Sequence, residues 1–277
     1  MKQIAAIMFS PTGGTKKIVT TVAQSIAGRL GLPVTEVDLT NPSARAQTLC
    51  FSEDTLVVLG LPTYAGRIPN KILPDLSERL YGEGKTMLVS ICVYGNRNYD
   101  EALREAVLLA ENNGFLPIAA AACVSAHAFS QRLAAGRPDE DDLSEIRDFG
   151  ERIAKQISSG VPAVVEMDRK TPIGPYYVPL KEDGAPAKFL KARPITDEAT
   201  CNRCGICANL CPMGSIDKEE VQKVDGVCIK CQACIKGCPT GAKYFDDGDF
   251  LSHVKMLEAN YRERKRNLFL VGGSNGK

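Results

Sequence analysis

The first 160 residues alternate short apolar runs with longer stretches in which apolar side chains recur every three or four positions. Runs at 3–9, 33–37, 55–60, 86–93 and 117–124 are rich in Val, Ile, Leu and Ala, with few polar residues between them. Strands of this composition are covered on both faces, as in a parallel sheet. After the first run, Ile18, Val22, Ile26 and Leu30 form a helical stripe that stops near Gly31. A later stripe, Leu143, Ile146, Phe149, Ile153 and Ile157, follows an acidic first turn at 139–142 that suits the positive end of a helix dipole. Residues 70–81 and 100–113 predict two more helices, the second stopped by Gly114, whereas the polar segment between the second and third strands predicts a degenerate helix or none. The alternation is that of an α/β fold, a doubly wound parallel sheet of five strands.

The pattern then changes. Residues 161–195 hold Pro162, Pro172, Pro175, Pro179, Pro186 and Pro194 with no sustained period, and predict an extended connector whose apolar patch at 173–180 packs on the first domain. Residues 196–248 carry closely spaced cysteines, as a small α+β domain. Residues 249–277 give a C-terminal helix and tail, with Phe250, Leu251, Val254, Leu257 and Tyr261 on the apolar side. The basic end, Arg262 to Arg266, fits a cation-rich last turn facing water.

At 277 residues, with 44% hydrophobic and 24% charged residues, the chain has the make-up of a globular protein of one domain plus a smaller one. A formal charge of +1 gives no electrostatic reason to expect nucleic acid. No apolar run approaches the roughly 18 residues that span a bilayer, and the N-terminus lacks signal-peptide architecture. The expectation is a cytoplasmic protein.

Eight of the eleven cysteines fall in two identical runs, Cys201, Cys204, Cys207, Cys211-Pro212 and Cys228, Cys231, Cys234, Cys238-Pro239. Each reads C-x₂-C-x₂-C-x₃-C-P, the spacing that grips two [4Fe–4S] clusters. Three thiolates of one loop hold three irons, and the fourth cysteine, turned away by its proline, serves the other cube. Cluster one then takes Cys201, Cys204, Cys207 and Cys238, and cluster two takes Cys228, Cys231, Cys234 and Cys211. Zinc sites more often use two separated pairs with histidine included, and the two histidines, His127 and His253, lie outside both runs. From Cys201 to Cys228 the segment repeats with a period of 27 residues, a duplicated half-domain. Thiolate clusters suit a reducing compartment, and their oxygen sensitivity suits an anaerobe.

A second chemistry-bearing motif follows the first strand. Ser10, Thr12, Gly13, Gly14 and Thr15 open directly into a helix, and offer hydroxyls and backbone N–H groups at its positive end, a nest for one phosphate. The triphosphate-binding G-x-x-x-x-G-K-[ST] and the dinucleotide G-x-G-x-x-G are both missing. At the carboxyl ends of the third and fourth strands, Thr63, Tyr64, Ala65, Gly66 and Arg67, then Tyr94, Gly95, Asn96, Arg97 and Tyr99, offer rings for stacking and glycines for close backbone approach. Arg67, Arg97 and His127 are weak candidates for contact with a substrate or a reduced ring. Cys50 lies in a polar connector, while Cys92 and Cys123 read as small strand hydrophobes.

Residues 1–160 resemble flavodoxin, and Ser-Pro-Thr-Gly-Gly-Thr resembles the FMN phosphate loop of that family. With Cys201 to Pro239 the chain resembles the fusion of an N-terminal flavodoxin-like domain with a bacterial dicluster ferredoxin. The resemblance implies strand order 2-1-3-4-5, FMN and two [4Fe–4S] clusters. It places the phosphate on Ser10, Thr12, Gly13, Gly14 and Thr15, with the two tyrosine-bearing loops flanking the isoalloxazine. Two departures stand out. Arg67 and Arg97 occupy loops that are commonly acidic in the family, and Lys243 stands where the first half has Ile216, which predicts one wetter cluster. The implied function is electron transfer between one- and two-electron carriers, with redox partner proteins. The alternative is an FMN-dependent reductase of a small organic acceptor fed by the clusters.

Overall fold

The computed structural model describes residues 1–160 and 162–273; the remaining parts of the expected connector and tail, 161 and 274–277, lie outside the described residues. The strands β1 (Gln3–Met8), β2 (Val34–Asp38), β4 (Thr55–Pro62), β6 (Thr86–Tyr94) and β7 (Phe115–Val124) form one parallel sheet in the order β2-β1-β4-β6-β7. Counting only these strands, that order is 2-1-3-4-5, the flavodoxin-like doubly wound arrangement. The inner strands β4, β6 and β7 are buried almost throughout, as their continuous Val, Leu, Ile and Ala runs require. Pro117 has no N–H to give, and the β6–β7 register shifts between Leu88 and Val89 opposite it.

The sheet has six strands, not five. β10 (Leu268–Val271) pairs antiparallel with β7, Leu268 opposite Ala122 and Val271 opposite Ala119. A bare β7 edge would expose a row of unpaired N–H and C=O groups, and the returning C-terminal segment covers it. Phe269 packs on Phe149 with ring centroids 4.9 Å apart.

α1 (Gly14–Leu30) and α5 (Glu140–Ser158) cover one face, burying Ile18, Val22, Ile146, Phe149 and Ile153 in a shared core. The carboxylates of Asp139 and Asp142 start α5 with a reciprocal capping box. α3 (Leu73–Arg79) and α4 (Ala102–Asn112) cover the other face. α3 is shorter than its periodicity predicts because Asn113 Nδ2 donates to Leu76 O at 2.8 Å and Leu80 O at 2.6 Å, taking carbonyls another helical turn would use. The chain continues as β5 (Leu80–Gly82), paired with β3 (Leu49–Phe51) in a small parallel ladder after the one-turn α2 (Pro42–Arg45).

The proline-rich segment lies on the first domain: Val165 N donates to Pro117 O and Tyr177 N to Ala65 O, each at 2.8 Å. The cysteine region contains a two-stranded ladder of β8 (Ile195–Thr196) and β9 (Lys243–Tyr244) and two one-turn helices, α6 (Ile206–Asn209) and α7 (Ala233–Lys236). Its repeat is visible in the backbone, for Arg203 and Lys230 have φ of 57° and 56°. α8 (Gly248–Asn260) follows, capped by Asp247. The basic segment after it faces water as expected, but it is extended and not a helical turn. It runs along the first domain, where Arg264 binds Asp139 at 2.6 Å and Arg137 Nη1 donates to Lys265 O at 2.8 Å. No helix among the described residues is long and apolar enough to cross a membrane.

Candidate cofactor sites

The carboxyl ends of β1, β4, β6 and β7 gather four loops on one side of the sheet, at the switch point where β1 and β4 lead to opposite faces. In the first loop Gly13 has φ 87° and caps α1 without any side-chain bond. Ser10 Oγ accepts from Lys16 N at 2.8 Å, and Lys17 N reaches Gly13 O at 3.0 Å. The N–H groups of Gly14 and Thr15 have no acceptor among the described residues, which leaves two donors at a positive helix end. Ser10 is thus spent on closing the helix, while Thr12 and Thr15 line a cavity of about 980 Å³.

That cavity is also lined by Thr63, Tyr64, Ala65, Gly66, Tyr94, Gly95 and Arg97. The turn at 64–67 is held by Tyr64 N to Arg67 O at 2.8 Å, with Ala65 and Gly66 at φ 48° and 77°. Thr63 Oγ1 is buried beside the Cys92 thiol, away from the open cavity. Three expected residues face elsewhere. Arg67 turns toward α4, where Glu105 takes its guanidinium at 2.8 and 2.6 Å, and it also donates to Gly174 O. Asn96 is buried against the C-terminal segment, donating to Tyr261 O at 2.6 Å and Glu263 O at 2.9 Å. Tyr99 packs edge-on against Tyr94, centroids 5.4 Å apart, outside the cavity lining. Arg97 pairs with Asp100 and lies over the Tyr177 ring at 3.9 Å.

The eight closely spaced cysteines gather in two groups of four. Cys201, Cys204, Cys207 and Cys238 line one small pocket, and Cys211, Cys228, Cys231 and Cys234 line another. Among the described residues no His, Cys, Asp and Glu side chains close on a single-ion position. In the first quartet Cys204 is exposed; in the second Cys231 and Cys234 are buried, and burial pushes their thiols up to about 12. Cys228 lines both the second quartet's pocket and the large cavity. Tyr64 stands at that junction: burial first, then Cys231 and Cys228, push its phenol well above its ordinary value. Lys243 does not open the first quartet to water. It is 2% exposed, lines that pocket and donates to Val221 O at 2.5 Å.

Several residues at the site were not evident from sequence. Arg45 is buried and donates to Pro212 O at 2.6 Å, pinning the first Cys-Pro turn to the flavodoxin-like domain. His253, Tyr177 and Phe189 close the cavity from the connector and α8. His127 lines it as well, and burial pushes its imidazole down to about 3.

Residues 193–239 match the family described as the 4Fe-4S dicluster domain. The chain thus has a flavodoxin-like fold in its first part and, at 193–239, a segment similar to that dicluster family. NAD(P)H-quinone oxidoreductase subunit I of Gloeobacter violaceus is 28% identical over 121 residues, which are 39% of this chain and 57% of that protein. The chain therefore spans little more than half the length of that relative. Among solved structures, a flavodoxin from the domain Archaea is 15% identical with a TM-score of 0.36, covering 57% of this chain and 99% of its own. A flavodoxin of Streptococcus pneumonia is 23% identical with a TM-score of 0.37, covering 55% and 99%.

Proposed function

We propose that the chain is an electron-transfer protein that holds FMN in the large cavity and a [4Fe–4S] cluster in each cysteine quartet. One observation carries this: Cys228 belongs to both the second quartet's pocket and the cavity wall, so the two sites share a side chain. Gly14 N, Thr15 N and the hydroxyls of Thr12 and Thr15 would hold the phosphate, with Gly13 supplying the left-handed turn. Tyr64, Ala65, Gly66, Tyr94 and Gly95 would flank the ring. When bound, a flavin exchanges two electrons and each cluster one, so the chain would interconvert the two kinds of transfer.

The residues set an order among the sites. The first quartet has the exposed member, Cys204, and would be the face open to a redox partner protein; the second, with no exposed cysteine, meets the cavity through Cys228. Arg45, holding Pro212, and Lys236 Nζ, donating to His127 O at 3.0 Å, fix the cysteine region against the loops. The eight thiols suit a reducing cytoplasm.

Anaerobic reconstitution with iron, sulfide and FMN, followed by rapid mixing with dithionite-reduced ferredoxin, tests the proposal. Bleaching of the clusters followed by bleaching of the flavin is expected. A flavin that stays oxidised while the clusters are reduced refutes internal transfer.

A further inference from the structure

One short turn of the connector stands at the rim of the large cavity. Phe189 and Ala192 are buried, and Ala192 N donates to Phe189 O at 3.0 Å, closing the turn between them. Phe189 packs edge-on against Phe250 of α8, ring centroids 5.5 Å apart. Lys230 Nζ, from the second quartet's loop, donates to Leu190 O at 2.5 Å. The turn is thus fixed at both ends and in its backbone. Its tip residue Leu190 is nonetheless 90% exposed while lining the cavity, and Val227, 47% exposed, lines the same cavity. A lone exposed leucine is ordinary on a protein surface. One pinned outward at the rim of a cavity, with a second apolar side chain on that rim, is a fixed contact point.

The charges around this rim are of one sign. The whole chain carries a formal charge of +1, yet the cavity is lined by Lys71, Arg97, Lys191, Arg193 and Lys230 and by no carboxylate. Arg97 is taken by Asp100, and Arg193 donates to Val224 O, which leaves its charge without a counter-ion. Lys71 and Lys191 are exposed, and neither ammonium has a hydrogen-bond or ion-pair partner among the described residues. Of the acidic groups nearby, Asp247 accepts from Phe250 N at 2.9 Å as the cap of α8, and Asp225 lies toward Lys223. Exposed ammonium groups hold a small anion weakly, because water and salt screen each pair. Spread around an apolar point, they suit a protein surface that brings several carboxylates at once.

We propose that this rim is a docking face for a small acidic electron-carrier protein. Leu190 and Val227 form its apolar centre, and Lys71, Lys191 and Arg193 supply the charges that steer and orient the partner. The face differs from the one at Cys204. It lies at the cavity mouth, on the side where Cys228 joins the cavity wall to the second quartet. The chain then meets partners at two separate places. The inference rests on the electron-transfer reading for the kind of partner, while the face itself is defined by the exposed side chains.

The test is a calorimetric titration of the oxidised, cofactor-loaded full chain with an oxidised acidic [2Fe–2S] ferredoxin, at low and at high salt, so that no electron flow is needed. Saturable binding that weakens with salt is expected. The pair Lys71→Glu and Lys191→Glu should weaken it about tenfold or more at low salt and much less at high salt. Leu190→Ser should weaken it about threefold or more at both. The control pair is Lys85→Glu and Lys155→Glu, exposed lysines before β6 and in the last turn of α5, which change the net charge equally. It should alter binding less than about threefold. Equal losses in the two pairs would reduce the effect to net charge and overturn the proposal. So would the absence of saturable binding, or loss of FMN from the Lys71 and Lys191 pair, which would make these lysines part of the flavin seat. If rapid mixing shows no internal transfer, the proposed function falls while this titration still decides the face. If transfer occurs and the two pairs behave alike, the face alone is refuted.

Discussion

Gly14 and Ser125 approach so closely that a Cβ on the glycine would stand 2.2 Å from the serine Oγ. The contact ties the loop after β1 to the loop after β7, with β4 and β6 between them in the sheet, beside cavity-lining Thr15 and Ser125. Gly14→Ala must push Ser125 aside. The expected outcome is FMN binding weakened at least about tenfold, with global stability lowered by roughly 1–3 kcal/mol from overpacking. Fluorescence titration with FMN and urea unfolding check the two parts separately.

Arg67 faces Glu105, not the cavity, and the same carboxylate accepts from Ile68 N at 2.8 Å. Removing the cation leaves a nearly buried carboxylate short of a partner. Arg67→Leu is expected to cost roughly 2–4 kcal/mol, somewhat less than a fully buried pair because the arginine keeps some solvent contact. FMN affinity should change by less than about threefold. A shift of the denaturation midpoint without loss of bound flavin is the signature.

Lys243 places a buried ammonium against the first quartet with no carboxylate partner among the described residues. A nearby positive charge favours the reduced, more negative form of a cluster. In Lys243→Met the potential of that cluster should fall by on the order of 100 mV, the scale of one charge at several ångströms in a protein dielectric. Potentiometry followed by paramagnetic resonance reads this directly, with iron content as the control. An unchanged potential removes the lysine from the tuning of the site.

His127 also makes stability depend on pH. Its neighbours His253, Lys236 and Arg97 add to burial in holding the folded imidazole down to about 3, whereas an unfolded one titrates near 6.5. Between those values the unfolded chain binds the extra proton, so the contribution is fully present above about pH 6.5 and is lost as pH falls toward 3. The slope from this group is at most about 1.4 kcal/mol per pH unit. Urea midpoints at pH 7 and pH 5 should differ more in the unmutated protein than in His127→Leu; equal differences would exclude the histidine as the cause.

What could be read from the sequence was what short-range spacing controls. The cysteine runs, the glycine-hydroxyl loop and the five parallel strands each depend on residues a few positions apart; the strands take the expected order, and the cysteines gather in two groups of four. The rest depended on distant partners. Arg67 could be taken for a ligand-facing cation because Glu105 lies 38 residues away, and Lys243 for a source of wetness because its acceptor Val221 O lies in another turn. His253 sits on an ordinary amphipathic helix, and only the packing of Phe189 and Leu180 reveals its orientation. Four residues, Leu268–Val271, carry too little pattern to announce a strand whose partner is about 150 positions earlier.

That short strand governs how the molecule can move. The polypeptide leaves the first domain after α5 and comes back to its sheet at Leu268, so the cysteine-bearing lobe is fastened at both ends. A lobe hung on one string can swing out to meet a customer; one laced down twice keeps its reach constant from the moment the sheet closes. Whatever delivers or collects charge has to travel to it.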